Sequence, residues 1–253
     1  MRRRTAILLT TAALAFSPFA CKPVVLVESP LVATRAAAPD YFGAPFQSKK
    51  LADLVKGIKG SDAEKVKKLF ALLNIRTGIL KYDKFNFDKL HPPRNVDETL
   101  EKGGVCSELA YVVIAALGQL GIKGGTIIIG REENSGDDSH VVAYALVGGQ
   151  KIFIDLQTLE VGALTVNSKL ITDVPSLDEA KSLYYRELGD YYMRRNKDYV
   201  RAIDAYLMAI SIYDKAAYVH NNLAAAYNRN KNYEKSVFHA KKAVELEPNK
   251  TAY

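Results

Sequence analysis

Cysteine and histidine are scarce in these 253 residues: two cysteines, Cys21 and Cys106, stand with four histidines, and tryptophan is absent. Neither residue type recurs at the paired spacing of a zinc site, so no metal is expected. Long Lys/Arg runs are missing too, and no basic stripe interleaves with aromatics, which argues against nucleic acid as a partner. No stretch reaches the roughly 20 apolar residues of a membrane-spanning helix. What remains is ordinary for a globular protein, with 48% hydrophobic and 25% charged residues. The length suits one or two domains.

The net charge of +7 includes Arg2, Arg3 and Arg4, and falls to +4 without them. Those arginines precede the apolar run "TAILLTTAALAF", and together they read as an export leader over residues 1–21. The run ends in "SPFAC", which places Cys21 where a bacterial lipoprotein signal carries its lipidated cysteine. Three outcomes stay open for Cys21: lipidation, ordinary cleavage of the leader, or an uncleaved anchor. The first two leave Cys106 without a partner, and a lone thiol in an oxidising compartment is a liability unless it is buried or used.

Residues 22–48 hold Pro, Ala and Gly without a sustained period and read as a linker. Over 49–75 the pattern turns helical. Val66, Leu69, Phe70, Leu72 and Leu73 form the apolar stripe, and Asp62 is the expected cap. The stretch from Lys81 to Gly104 reads as turn-rich, with His91-Pro92-Pro93 inside it. Cys106 to about Leu120 is apolar almost throughout, the mark of a helix buried on most sides. Three strands are then expected, "GTIIIG", "HVVAYALV" and "KIFIDLQ", with Gly148-Gly149 as the turn between the last two. "GGTIIIG" lacks the strand-then-helix context of a nucleotide loop. The acidic "REENSGDD" lacks the spaced ligands of a calcium loop. No cofactor is expected.

Beyond residue 176 the chain is helical, tyrosine-rich and repetitive. Tyr199 and Tyr233, Ala202 and Ser236, Ala209 and Ala243, and Asp214 and Pro248 stand 34 apart. Gly189 and Ala224, like Tyr192 and Tyr227, stand 35 apart, so one residue is inserted in the first turn. This period and its small and aromatic positions resemble the tetratricopeptide repeat over residues 176–253. Two repeats are few for an independent array, so docking on the preceding domain or on a protein partner is expected. Arg186 and Asn222 fall where related arrays clamp a peptide carboxylate, although solvated helix surface is the simpler reading of both.

Chemistry centres on Cys106. A thiol at a helix start lies beside unsatisfied N–H groups and the positive end of the dipole, which favour the nucleophilic thiolate. Gly103 and Gly104 leave room for backbone or substrate. A catalytic thiol needs a base and the base an orienting acceptor. His140 opens the strand downstream, and Asp155 lies on the next one. A two-residue turn at Gly148-Gly149 sets Val147 against Gln150 and Asp155 against Val142, which shares a face with His140. His140 and Asp155 are then diagonal neighbours roughly 7–8 Å apart at Cα. A three-residue turn would separate them. His91, His220 and His239 read as structural or solvated.

"GGVCSELAYVVIAALGQLGI" followed by "SHVVAYALVGGQKIFIDL" resembles the transglutaminase-like core, a branch of the papain-like cysteine enzymes, over roughly residues 50–165. The resemblance implies an α+β fold, with the cysteine helix against an antiparallel sheet and an all-α repeat region after it. It further implies Cys106 as nucleophile, His140 as general base and then acid, and Asp155 as the group that orients the imidazole. Val141 and Val142 stand where the family commonly has an aromatic, and "DLQT" replaces its Asp-Pro-Thr. The backbone N–H of Cys106 is the one oxyanion donor the sequence offers.

The expectation is an exported protein of the periplasm or cell envelope, held to a membrane only through a lipid on Cys21. Residues 49–170 carry acyl transfer or hydrolysis at an amide or peptide bond, and residues 176–253 dock a protein partner. The alternative is a non-catalytic binding protein whose triad is a relic.

Overall fold

Most helix starts among the described residues are set by short polar side chains. The computed structural model describes residues 44–83, 91–130, 140–162, 170–174 and 176–248. The expected leader, Cys21, the acidic loop at 131–138 and residues 22–43 of the expected linker lie outside them. Ser48 begins α1 (Lys49–Val55) by accepting a hydrogen bond from the Leu51 N–H at 2.9 Å. Ser61 begins α2 (Asp62–Leu73) through a reciprocal pair with Glu64. The expected cap at Asp62 is therefore corrected by one residue. Ser61 has the extended backbone that turns its hydroxyl onto the Glu64 N–H, while Asp62 already occupies the first turn, where its charge suits the dipole.

A second correction falls in the stretch expected to be turn-rich. Asn95 and Glu98 form another capping pair, and α3 (Val96–Lys102) follows directly on the prolines. Val96, Thr99 and Leu100 bury its inner face. Then comes α4 (Cys106–Gln119), whose residues from Ser107 to Leu117 are all buried. This agrees with its nearly unbroken apolar sequence.

Five strands make one antiparallel sheet in the order β4-β3-β2-β1-β5. They are β1 (Gly124–Gly130), β2 (His140–Val147), β3 (Gln150–Asp155), β4 (Glu160–Gly162) and β5 (Leu170–Val174). The first three match the expected strands; β4 and β5 were not foreseen. Gly148 and Gly149 have φ of 58° and 81°, the left-handed pair that a tight hairpin turn requires. Val147 accordingly pairs with Gln150 and Ala143 with Ile154. Val141, Ala143, Ala145 and Ile154 join the main core with α4, and Val142, Ile127, Ile129 and Phe153 form a smaller cluster. The mixed α+β class holds.

Four more helices follow among the described residues. They are α5 (Leu177–Tyr191), which runs on into a π-helical turn at Tyr192–Asn196, α6 (Tyr199–Ile212), α7 (Ala217–Arg229) and α8 (Tyr233–Leu246). Each packs on its neighbour in sequence, and α5 also lies on α4 and β1. Gly189 permits the α5–α6 crossing, because a Cβ there would stand 2.5 Å from the Tyr206 ring. Phe46, Tyr111 and Tyr184 meet edge to face, their centroids 5.5 to 5.7 Å apart. That trio ties the end of the expected linker to α4 and α5, and one continuous core runs from Leu51 to Tyr227. No helix among the described residues is long and apolar enough to cross a membrane.

Candidate active site

The sulfur, the imidazole and the carboxylate arrive from three elements. Cys106 is the first residue of α4, a half-buried free thiol. His140 opens β2, and Asp155 closes β3. Carried one step beyond the Ala143–Ile154 pair, the hairpin register sets Asp155 opposite Val142, two residues from His140. The side chains close that diagonal. His140 Nε2 and Asp155 Oδ2 are 2.7 Å apart. His140 is also hydrogen-bonded to Cys106, and Nδ1 is the ring nitrogen left for that bond.

Electrostatics follow from this geometry. Burial disfavours a charged His140 ring. Hydrogen bonds and negative charge from Asp155 and Cys106 outweigh it and lift the ring to about 9. The imidazole is then protonated at neutral pH and donates from both nitrogens. Burial likewise acts against ionised Asp155, but the bond and charge of His140 hold its carboxyl below the ordinary value. Oδ1 of Asp155 accepts from the Gln157 N–H at 2.9 Å and the Thr158 N–H at 3.2 Å. Both oxygens are engaged, so the carboxylate has one orientation, and it fixes the ring that faces the sulfur.

A brace beneath Cys106 was not foreseen. The buried Glu108 carboxylate accepts from the Val105 N–H at 3.0 Å and the Arg94 N–H at 2.8 Å. Burial raises its pKa against the pull of those two N–H groups. The Arg94 guanidinium donates to the Gly103 carbonyl at 2.7 Å and pairs with Asp83 at 2.8 Å. Lys81 and Asp83 clasp Gly104 through two backbone bonds of 3.0 Å. The glycines thus make room for the chain itself. A Cβ on Gly103 would meet the Lys81 carbonyl at 2.6 Å, and one on Gly104 would meet Glu108 and Thr99 at 2.8 to 2.9 Å. Glu108, three residues after the cap position Val105, was the readable signal.

Tyr82 is the other unforeseen neighbour. It bridges to Gly104, and its hydroxyl is hydrogen-bonded to the Gln157 side chain. Burial raises the phenol pKa, negative charge on Cys106 adds to the rise, and the Gln157 bond works against it. The hydroxyl therefore keeps its proton.

The remaining candidates lie elsewhere. Arg186 pairs with Asp190 at 2.9 Å and Glu187 at 3.5 Å. Asn222 donates to the same Asp190 at 3.0 Å, alongside the Tyr206 hydroxyl at 2.7 Å. Both residues are drawn inward around one carboxylate. His220 and His239 stack in the core of α7 and α8 with their Nδ1 atoms 3.0 Å apart. His91 lies in the proline stretch.

An α+β domain with a cysteine, a histidine and an aspartate in hydrogen-bonded series is the class that fold and site define. Compared with protein-family models, curated proteins and solved structures, the chain finds no match.

Proposed function

We propose that the chain is a transglutaminase-like cysteine enzyme followed by two tetratricopeptide-like repeats, acting by acyl transfer or hydrolysis at an amide or peptide bond. One observation carries the reading: His140 stands between Cys106 and Asp155, hydrogen-bonded to both. In this scheme the Cys106 thiolate attacks the carbonyl, and His140 gives its proton to the leaving amine. Water, or a second amine, then resolves the thioester with His140 as base. Asp155 keeps the imidazole in place throughout. The leader-like residues 1–21 support export to the periplasm or cell envelope, with Cys21 as the residue a lipid would occupy.

A second reading, a protein-binding chain with a relic triad, is favoured by α8. Tyr233, Val237, Phe238 and Val244 are exposed on that one helix, an apolar surface of the kind partners cover. The test separating the two is the alkylation rate of Cys106 against pH, in the wild type and in His140→Ala. The enzyme reading expects rapid alkylation well below pH 8 that the substitution alters. Slow alkylation with an ordinary thiol profile near 8.5, indifferent to the substitution, would leave the binding reading.

A further inference from the structure

We propose that α8 is a homodimer contact: the same helix of a second copy packs against it, antiparallel, about a two-fold axis. The inference stands apart from the cysteine chemistry. One side of α8 is buried. His239 and Ala243 lie on it, and beside them the Ser236 hydroxyl donates to the Ala224 carbonyl of α7 at 2.9 Å. Along the edge of that buried side runs an apolar stripe. Tyr233, Val237, Ala240 and Val244 recur at intervals of four, three and four residues, the spacing of a seam between two helices. Tyr233, Val237 and Val244 are 62%, 53% and 46% exposed. Phe238 lies off the stripe, its ring edge-on to His239.

Charge selects the occupant. Glu234 and Lys241 are exposed on the edge of the stripe away from α7. Let Val237 stand against Ala240 of a second copy running the opposite way. Tyr233 then meets Val244 of the second copy, and Glu234 of each copy comes beside Lys241 of the other. The two-fold axis makes this ion pair twice, as an isologous contact must. A parallel copy makes neither pair, because it brings Lys241 toward Ser236, on the side that α7 occupies. The stripe is thus complementary to itself in one direction only.

The size of the contact sets its strength. A helix of 14 residues is about 21 Å long, so one helix pair buries less than a standard interface, and the dimer is weak and reversible.

Sedimentation equilibrium of the chain at low salt, from about 10 µM to about 1 mM, tests the proposal. The expected result is a monomer–dimer equilibrium that Val237→Glu abolishes. Glu234→Lys alone and Lys241→Glu alone each set two like-charged pairs across the axis and should weaken the dimer about tenfold. Mixing these two variants one to one restores both opposite-charge pairs, and should return the affinity to within about threefold of wild type. All three positions are exposed, so the substitutions leave the fold intact. A wild type that stays monomeric throughout overturns the proposal and leaves the surface to a different protein. A dimer indifferent to Val237→Glu overturns it by placing the contact elsewhere. Charge variants whose mixture associates no better than either alone overturn it by rejecting the antiparallel register.

Discussion

His140 and Asp155 are joined at 2.7 Å across a hairpin whose register offsets them by two residues. That pairing raises the imidazole to about 9 and holds the carboxylate low. The folded state therefore binds the imidazole proton more tightly than the unfolded chain, whose histidine titrates near 6.5. The stabilisation is complete below 6.5 and is lost as pH rises through about 9. At the acid end, the Asp155 contribution is present above the ordinary carboxyl value and is lost as pH falls below it. The rise to about 9 is worth at most about 3 kcal/mol. Urea unfolding from pH 6 to 10 should show the loss, and Asp155→Asn should flatten it. An NMR titration should bring the His140 ring back toward 6.5 in that variant.

The second histidine pair has the opposite sign. His220 and His239 face each other inside α7 and α8, with Tyr227 stacked on His239. Burial pushes both down. His239 falls to about 4, helped by the charges of His220 and Lys235; His220 is lowered too, by burial and Lys242, against the Asp214 carbonyl it is bonded to. The unfolded chain takes up these protons first, so stability is present above 6.5 and is lost as pH falls toward 4. His239 alone accounts for about 3 kcal/mol over that window. His239→Phe should remove most of the acid loss seen in thermal melts between pH 6.5 and 4.

Glu108 holds two backbone donors that have no substitute. Glu108→Ala strands the N–H groups of Val105 and Arg94 and should cost about 2–4 kcal/mol. Glu108→Gln keeps one acceptor and should cost about half as much. Urea midpoints check both, and Cys106 alkylation should slow as the start of α4 loosens.

Gly189→Ala would press a methyl group into the Tyr206 ring, which is itself bonded to Asp190. A destabilisation of about 1–3 kcal/mol is expected. The double change Gly189→Ala with Tyr206→Leu should recover part of it, which calorimetry would read as coupling between the two sites.

Much of the site was legible because local signals fixed it. Two consecutive glycines at 148 and 149 specify the turn, the turn specifies the register, and the register brings His140 to Asp155. The buried helix behind Cys106 was equally plain from its composition. The misses were of two physical kinds. The cap at Ser61 and the start of α3 at Asn95 were local signals, overshadowed by Asp62 and by the prolines at 92 and 93. Tyr82, Arg94 and the β1–β5 pairing are contacts between distant segments, which no periodicity encodes. Asp190 belongs with them: only packing shows that it gathers Arg186, Asn222 and Tyr206.

The strands of this hairpin also constrain how the chain can diverge. Side chains alternate across a strand, so one residue added or removed between His140 and Val147, or between Gln150 and Asp155, with the Val147–Gln150 pair kept, would carry one partner to the opposite face. The turn is under no such rule, because loops of three to five residues can close the same pair. Descendants that keep the chemistry are therefore free to vary the surface loop, while a single-residue change in either strand costs the histidine its carboxylate.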